Sequence, residues 1–359
     1  MKLITIVGAR PQFVKAAVVA RAIAKHNQVN EQKIEEIIIH TNQHYDLNMS
    51  AVFFEEMHIP RPNYNLGVGG GAQGAMTGRM LEKIEEILLA EQPDYVLVYG
   101  DTNSTLAGAL AAVKLHIPVV HIEAGLRSFN MSMPEEVNRI LTDRVATLLL
   151  CPTQTAVTNL QVENIKQGVH NVGDVMYDAV EYYGRLAQPS LEVKQLCTHN
   201  YCLATVHRAE NTDDVRRLAN IMRALDTIAT DKTVVLPLHP RTKKILQAHN
   251  IKLKNVTLIE PVGYFDILTL LKNAEGVFTD SGGMQKEAYF FAKPCFTLRD
   301  ETEWVELVEG GANKLVGADY ETIMQTYKTW RPAAEVFATK LYGNGDAGEK
   351  IVALLGKMM

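Results

Sequence analysis

Short apolar runs alternate along this chain with segments in which apolar residues recur every three to four positions. In the first half, the runs that end in glycine or polar residues predict β-strands over Leu3–Ala9, Glu36–Thr41, Tyr95–Gly100, Val119–Ala124 and Leu148–Pro152. The helical spacing predicts α-helices over Val14–His26, Met76–Ala90 and Ser104–Leu115. Because the strands are continuously apolar, they are predicted to form a parallel sheet that is covered on both faces.

The alternation begins again in the second half of the chain. Strands are predicted over Cys202–Val206, Val234–Leu238, Val256–Ile259, Gly276–Thr279 and Cys295–Leu298, with helices such as Val215–Ala229 between them. We therefore predict an α/β protein with two Rossmann-like, doubly wound domains that face a cleft, where a ligand would bind. The predicted domains cover residues 1–172 and 173–345. A C-terminal helix over residues 346–359 is expected to pack back on the first domain.

Composition excludes several classes of protein. The chain has 359 residues and a formal net charge of −5, and it has no basic stripe, so it is not expected to bind nucleic acid. No apolar run approaches the ~20 residues that span a membrane, and residues 1–9 are too short for a signal peptide. The four cysteines show neither CxxC pairing nor metal-ligand spacing. We expect a cytoplasmic protein with reduced thiols.

Acids and bases are concentrated in two adjacent segments, His121–Arg127 and Met133–Arg139. They lie between a predicted strand and a helix that Pro134 opens, at the end of the sheet where ligands bind. This pattern predicts proton transfer beside an anionic substrate. Asp101, at the end of the neighbouring strand, belongs either to the same site or only to the cap of the next helix.

Two strand-to-helix turns are candidate anion sites. Residues 8–12 (Gly-Ala-Arg-Pro-Gln) lack the GxGxxG fingerprint of dinucleotide binding, but Arg10 and Lys15 suggest contact with an anion. A surface arginine and lysine on an amphipathic helix is the alternative. In residues 281–287 (Ser-Gly-Gly-Met-Gln-Lys-Glu), two glycines let backbone N–H groups approach a phosphate, and Glu287 can accept hydrogen bonds from a ribose. The alternative there is an N-cap serine, packing glycines and a solvated glutamate.

Two further features carry weaker signals. The glycine stretch over residues 67–74 has no basic partner and is predicted to be a loop before a helix. His207 and His239 each follow a predicted strand of the second domain. A histidine in that position is either structural or part of a site at the strand ends.

Six motifs, in order, make the chain resemble the non-hydrolysing UDP-N-acetylglucosamine 2-epimerases, which share the two-domain architecture of GT-B glycosyltransferases. The resemblance covers nearly the whole chain. The motifs are Gly-Ala-Arg-Pro-Gln (8–12), Thr-Asn-Gln-His (41–44), Gly-Asp-Thr-Asn-Ser-Thr (100–105), His-Ile-Glu-Ala-Gly-Leu-Arg (121–127), Pro-Glu-Glu-Val-Asn-Arg (134–139) and Asp-Ser-Gly-Gly-Met-Gln-Lys-Glu (280–287).

The resemblance implies roles for individual residues. The residues at the family's catalytic positions are Asp101, Glu123, Glu135 and His207. The residues at its substrate-binding positions are Arg10 and Lys15 in the first domain, Ser281, Gly282, Gly283 and Glu287 for the diphosphate and ribose, and Val262 and Ile267 for the uracil. Arg127 and Glu136 are assigned to support of the site.

The implied reaction explains these residue types. C2 of a 2-acetamido sugar is not next to a carbonyl, so its hydrogen is not acidic enough for direct inversion. In the family, a base removes that proton while UDP leaves C1, which gives a glycal; protonation of C2 from the other face and return of UDP yield the epimer. This route needs carboxylates on both ring faces and donors for the diphosphate. It implies no cofactor and no metal, and the family implies a homodimer.

Several segments resemble the branch that acts on UDP-2,3-diacetamido-2,3-dideoxy-glucuronate. They include residues 127–134, 207–214 and 301–308. Trp304 replaces an arginine common among UDP-N-acetylglucosamine epimerases, and Lys286 replaces a common acid. Lys286 is either a contact for an anionic ligand or a solvated helix residue.

The sequence is also compatible with three other functions. A GT-B glycosyltransferase would need an acceptor, a sugar-nucleotide binding protein would not need Glu123 and Glu135, and a hydrolysing epimerase would release free UDP.

Overall fold

The computed structural model describes residues 1–43 and 61–358; within α1 it describes Arg10 without its side chain. The described residues divide into two units. Unit 1 comprises residues 1–181 and 341–359, and unit 2 comprises residues 182–340. The division falls inside a helix, nine residues beyond residue 172, where the first predicted domain ends.

Unit 1 is built on a parallel sheet with helices between its strands. Its elements in chain order are β1 (Lys2–Val7), α1 (Arg10–Val29), β2 (Glu35–His40), β3 (Tyr64–Asn65), α2 (Gln73–Glu91), β4 (Tyr95–Tyr99), α3 (Asn103–Lys114), β5 (Val119–Ile122), α4 (Pro134–Val145), β6 (Leu148–Cys151), α5 (Gln154–Val162), β7 (Val169–Asn171) and α6 (Val175–Leu186), which continues into unit 2. The described strands form a sheet in the order β3-β2-β1-β4-β5-β6-β7. Ile4, Ile39, Val98 and Ala109 lie in a core between this sheet and its helices.

Unit 2 repeats the architecture. Its elements are α7 (Leu191–Leu196), β8 (Tyr201–Thr205), α8 (Ala209–Thr212), α9 (Val215–Ile228), β9 (Thr233–Pro237), α10 (Pro240–Ala248), β10 (Thr257–Ile259), α11 (Tyr264–Asn273), β11 (Gly276–Thr279), α12 (Gly282–Phe290), β12 (Cys295–Thr297), α13 (Val305–Glu309), β13 (Asn313–Leu315), α14 (Tyr320–Thr329) and a 3-10 turn (Ala334–Ala338). The described strands pair in parallel in the order β10-β9-β8-β11-β12-β13. Apolar clusters pack on both faces of this sheet.

Both sheets reverse their strand order at one point. In unit 1 the reversal lies between β1 and β4, and in unit 2 it lies between β8 and β11. The loops that leave the carboxyl ends of such strands diverge to opposite faces and leave a crevice for ligands. The predicted fold class, two doubly wound α/β units, is confirmed, and four of the predicted site segments follow these strands.

The end of the chain returns to unit 1. Helix α15 (Ala347–Gly356) packs on α1, where the backbone of Gly348 lies against Val18. The carboxylate of Asp178 in α6 accepts the N–H groups of Ala347 at 3.1 Å and Gly348 at 2.8 Å, and so caps α15 from outside the helix. Within the described residues, no helix is both long enough and apolar enough to cross a membrane.

Candidate active site

Glu123 is held in an unusual backbone conformation directly after β5. Its φ is +69°, in the left-handed region that glycine normally occupies, and its side chain is buried. Its carboxylate forms a buried ion pair with Lys15 of α1. The alternative interpretation of Lys15 as a surface residue is therefore wrong. An ammonium group in contact with a carboxylate favours its ionised form, which is the form that a general base needs.

Asp101 follows β4 and is fixed by α4. Its Oδ2 accepts a hydrogen bond from Nη2 of Arg139 at 2.6 Å, and its backbone carbonyl accepts one from Asn138 at 2.9 Å. The N-cap of α3 is Thr102, whose hydroxyl accepts the N–H of Thr105. The alternative in which Asp101 serves only as that cap is therefore wrong. The carboxylate of Glu123 lies against Gly100, so Glu123 and Asp101 are neighbours.

The two glutamates at the start of α4 differ in their surroundings. Glu135 is partly exposed, and among the described residues its carboxylate has no hydrogen bond or ion pair. Glu136 is fully buried and accepts the N–H groups of Ser128 and Phe129, each at 2.9 Å. Burial raises the pKa of Glu136, but those N–H groups and Arg139 outweigh it, so the pKa is lowered. Glu136 thus holds the loop before α4, whereas Glu135 is available to a ligand.

A buried charge network lies behind the Glu123 loop, and sequence analysis did not predict it. Asp143, in the last turn of α4, contacts His121 and Arg127, and Arg127 also makes a bidentate ion pair with Glu163. Burial raises the pKa of the Asp143 carboxyl, but the hydrogen bonds and charges of His121 and Arg127 outweigh it, so the pKa is lowered. Arg127 is thus used within the protein, in agreement with a supporting role.

Gln12 of α1 connects the turn after β1 to the neighbouring strand β4. Its side-chain oxygen accepts the N–H groups of Gly8 and Ala9, and its amide donates to the carbonyl of Tyr99 at 2.7 Å. A Cβ on Gly8 would lie 2.1 Å from the Ser104 hydroxyl, so only glycine fits there. The side chain of Arg10 and the residue His44 of the second motif lie outside the described part of the chain.

In unit 2, the turn between β11 and α12 has two features of the alternative interpretation, a capping serine and a packing glycine. Ser281 is the N-cap, and its hydroxyl accepts the N–H of Met284. A Cβ on Gly282 would lie 2.4 Å from Oε1 of Glu303, whereas a Cβ on Gly283 would have only Ser281 Oγ nearby, at 4.0 Å. Gly282 is therefore required for packing, while Gly283 leaves open space at the helix N-terminus, where N–H groups favour an anion.

Further along α12, two charged residues are buried rather than solvated. Lys286 is 1% exposed, and its ammonium lies 4.0 Å from the ring centroid of Trp304. Glu287 is 6% exposed. The alternatives in which Lys286 and Glu287 are solvated helix residues are therefore wrong.

His207 follows β8 on the other side of the reversal point. Its backbone N–H donates to the carboxylate of Asp280, and its ring Nδ1 lies 3.5 Å from the same carboxylate. Its ring is partly exposed and lies 5.5 Å, centre to centre, from the ring of His239, the N-cap of α10. Asp280 is fully buried, and it joins the His207 loop to the Ser281 turn.

The two residues predicted to contact uracil stand at the start of α11. Val262 and Ile267 are partly buried and pack against the core cluster of unit 2 that contains Met284. The structure therefore places them at the edge of this core cluster of unit 2.

The predicted site residues thus form two sets. In unit 1 the structure brings together Lys15, Asp101 and Glu123 beside α4, which carries Glu135. In unit 2 it brings His207 and Ser281 together through Asp280. Two Rossmann-like units with these sets at their reversal points match the GT-B-like class of fold.

Comparisons with known proteins identify the family. Residues 27–356 match the family described as UDP-N-acetylglucosamine 2-epimerase. The chain is 52% identical to the UDP-2,3-diacetamido-2,3-dideoxy-D-glucuronate 2-epimerase of Pseudomonas aeruginosa, over 100% of both chains. It is 45% identical to the UDP-N-acetylglucosamine 2-epimerase of Methanocaldococcus jannaschii, over 99% of both. A crystal structure of the M. jannaschii UDP-GlcNAc 2-epimerase with UDP-GlcNAc and UDP matches at a TM-score of 0.89 and 43% identity, over 99% of this chain and 100% of that one.

The chain belongs to the UDP-N-acetylglucosamine 2-epimerase family. It is therefore an isomerase, as its motifs predicted.

Proposed function

We propose that this protein is a non-hydrolysing UDP-sugar 2-epimerase that inverts C2 by elimination and re-addition of UDP. The observation that carries the proposal is the buried, ion-paired carboxylate of Glu123 at the end of β5. A carboxylate that Lys15 keeps ionised is a base that is ready to remove the C2 proton. Family membership supplies the reaction, and the geometry supplies a base.

In the proposed reaction, one carboxylate removes the C2 proton, the C1–O bond breaks, and its electron pair leaves with UDP. A 2-acetamidoglycal remains. A protonated carboxyl on the opposite face then returns a proton to C2, and the UDP oxygen re-forms the bond to C1. We assign the two carboxyl groups to Glu123 and Glu135, with Asp101 beside them under the control of Arg139.

We assign the nucleotide to unit 2. The open space at Gly283 and the N-terminus of α12 suit the diphosphate. Glu287 is assigned to the ribose, Val262 and Ile267 to the uracil, and His207 to the departing diphosphate. In unit 1, Arg10 is assigned to the substrate, and Lys15 acts through Glu123.

The substrate that we propose is UDP-2,3-diacetamido-2,3-dideoxy-glucuronate, converted from the gluco to the manno form. Two observations support it over UDP-N-acetylglucosamine. Identity to the P. aeruginosa enzyme is 52%, against 50% to a UDP-N-acetylglucosamine 2-epimerase homolog of Methanococcus maripaludis and 45% to the M. jannaschii enzyme. Trp304 also occupies the position of the family arginine and packs on Lys286. We further propose that the protein works as a cytoplasmic homodimer in polysaccharide synthesis. Light scattering of the purified protein tests whether it is a dimer.

The decisive experiment is incubation in D₂O with each UDP-sugar in parallel, followed by NMR of C2. Deuterium at C2 of an epimerised uronate supports the proposal, and exchange of UDP-N-acetylglucosamine alone would replace the proposed substrate. Exchange of neither would overturn the epimerase assignment. Accumulation of free UDP would indicate a hydrolysing epimerase, and turnover only with an acceptor would indicate a glycosyltransferase.

Glu123→Gln tests the assigned base. We expect it to lower exchange at C2 by about 100-fold or more, the usual contribution of a general base, while UDP still binds. Glu86→Gln, the same change of charge at an exposed position on α2, is the matched control and should leave exchange unchanged. If Glu123→Gln retains full exchange, or loses UDP binding instead, Glu123 is not the base.

A further inference from the structure

Residues along one side of helix α4 carry or contact the segments of the three carboxylates assigned to the reaction in unit 1, which are Glu135, Asp101 and Glu123. Glu135, Arg139 and Asp143 are spaced four residues apart and therefore lie along one stripe of the helix. Glu135 is itself the first of the acids, and Arg139 holds the second, Asp101, at 2.6 Å. Asp143 occupies the remaining position of the stripe, behind the loop of Glu123.

Asp143 contacts residues that precede and follow Glu123 in the sequence. Its Oδ1 lies 2.7 Å from Nδ1 of His121, two residues before Glu123. Its Oδ2 accepts the backbone N–H of Gly125 at 3.0 Å, two residues after Glu123, and Nη1 of Arg127 at 2.7 Å. One carboxylate thus collects three donors from a seven-residue loop.

The loop needs such an anchor because its backbone is strained. Glu123 has a φ of +69°, which costs a residue with a side chain free energy relative to the right-handed region. Strained residues persist where surrounding contacts over-determine them. Gly125 also has a positive φ, and its backbone packs so closely on Ala156 of α5 that a Cβ there would lie 2.3 Å from the Ala156 carbonyl oxygen.

His121 links the anchor to the next strand. Its Nε2 lies 2.7 Å from the carbonyl oxygen of Gly100, which precedes Asp101, while its Nδ1 faces Asp143. A carbonyl oxygen and a carboxylate both accept hydrogen bonds, so the ring of His121 lies between two acceptors. Asp143 in turn lies between His121 and Arg127, and Arg127 also contacts the partly exposed Glu163.

We propose that Asp143 is a positioning residue for the epimerisation: it holds the strained Glu123 loop so that the Glu123 carboxylate stands beside Gly100, and through His121 it sets that loop against the strand end that carries Asp101. Asp143 touches no substrate and transfers no proton. The proposal rests on the proposed function, since it concerns the placement of the base assigned there.

Asp143→Asn keeps the size of the side chain but removes its charge and one of its acceptors. We expect kcat for C2 exchange to fall by about 100-fold, as for a misplacement of about 1 Å, with KM and UDP affinity unchanged. Glu163→Gln, which weakens the same Arg127 without touching residues 121–125, is the matched control and should change kcat by less than about 3-fold, as for a partly exposed pair. Equal losses of kcat in both variants, or loss of UDP affinity in Asp143→Asn, would overturn the proposal.

A spectroscopic measurement keeps the test open if Asp143→Asn does not fold. In the wild-type protein labelled with ¹⁵N-histidine, the ring assigned by its absence in His121→Asn should show an Nδ1–H that exchanges slowly with solvent, because Nδ1 lies 2.7 Å from the buried Asp143 carboxylate. A ring without such an Nδ1–H would overturn the anchor geometry. This signature does not depend on turnover, so a wild-type protein that shows it but exchanges no C2 hydrogen would refute the proposed function alone.

Discussion

The two units share one architecture but hold their functional residues by different means. In unit 1, side-chain carboxylates are fixed by buried cations: Lys15 on Glu123, Arg139 on Asp101, and Arg127 on Asp143. In unit 2, an N-cap and two glycines shape the Ser281 turn. The groups available to an anion there are the N–H groups at the start of the helix. Buried ion pairs fix the place and ionisation of an acid, whereas a glycine turn leaves room for an anionic ligand.

The largest effect should follow a change at Gly125 in the acid loop. Gly125→Ala places a Cβ 2.3 Å from a backbone oxygen at a φ of +82°, so we expect a loss of about 4 kcal/mol in unfolding free energy together with the loss of C2 exchange. Gly168→Ala has the same defect, with its Cβ 2.0 Å from the carbonyl of Thr147, but lies outside the loop. Urea denaturation should find both variants destabilised. If the folded fraction of each exchanges C2 hydrogen equally well, the loop has no special role.

The second prediction concerns Glu36 of β2 in unit 1. Among the described residues, no cation forms an ion pair with its carboxylate. Burial raises the pKa of Glu36 from 4.5 to about 7, although the hydrogen bond from Thr5 opposes the shift. The folded state therefore binds this proton more tightly, so the contribution of Glu36 to stability is fully present below pH 4.5 and is lost as the pH rises to about 7. Glu36→Gln keeps an acceptor for Thr5, and we expect it to gain about 3 kcal/mol over the wild type above that range.

The measurement for Glu36 is urea denaturation at a series of pH values. The two proteins should converge at low pH, where the wild-type carboxyl is protonated. A constant difference across the series would show that the titration of Glu36 is not responsible.

The two glycines of the turn in unit 2 are expected to have separate roles, Gly282 in packing and Gly283 in binding. Gly282→Ala would displace the Glu303 carboxylate, which accepts a hydrogen bond from Arg299, so we expect a loss of about 1–2 kcal/mol in stability. Gly283→Ala meets only Ser281 Oγ at 4.0 Å, so stability should be kept while UDP affinity falls about 10-fold if the diphosphate lies on that turn. Calorimetry of UDP binding and thermal melting separate the two. Unchanged UDP affinity in Gly283→Ala would place the diphosphate elsewhere.

The smallest effect should come from the buried cation of unit 2. Lys286→Met removes the contact with Trp304, and we expect a loss of about 1 kcal/mol in stability. Lys272→Met, at an exposed position of α11, is the control and should have no effect. A gain in stability for Lys286→Met would show that desolvation of the ammonium exceeds the benefit of the ring contact.

The sequence predicted the long elements well, because continuous apolar runs and helical spacing are local properties. Short edge strands were missed: β3, β7 and β13 have two or three residues each and contain no apolar run. The division at residue 181, inside the helix that joins the units, depends on tertiary contacts that no local pattern contains.

The candidate site was predictable in its composition but not in its pairing. Strand-end acids identified Glu123 and Asp101, and the glycine turn identified Ser281. Lys15 and Glu123, however, are 108 residues apart in sequence, and their contact depends on β1 and β5 lying on either side of β4. Asp143 gave no signal, because an acid in the last turn of a helix is normally a solvated residue. Its i, i+8 spacing from Glu135 was the one clue available.

The return of α15 to unit 1 has a consequence for the synthesis of the protein. Residues 1–181 of unit 1 are translated before unit 2, but α1 and Asp178 acquire their partner helix only when residues 347–356 have been translated. All of unit 2 is made in between. The face of α1 that Gly348 covers therefore lacks this contact throughout that interval, and the packing of unit 1 is completed only after unit 2 has been translated.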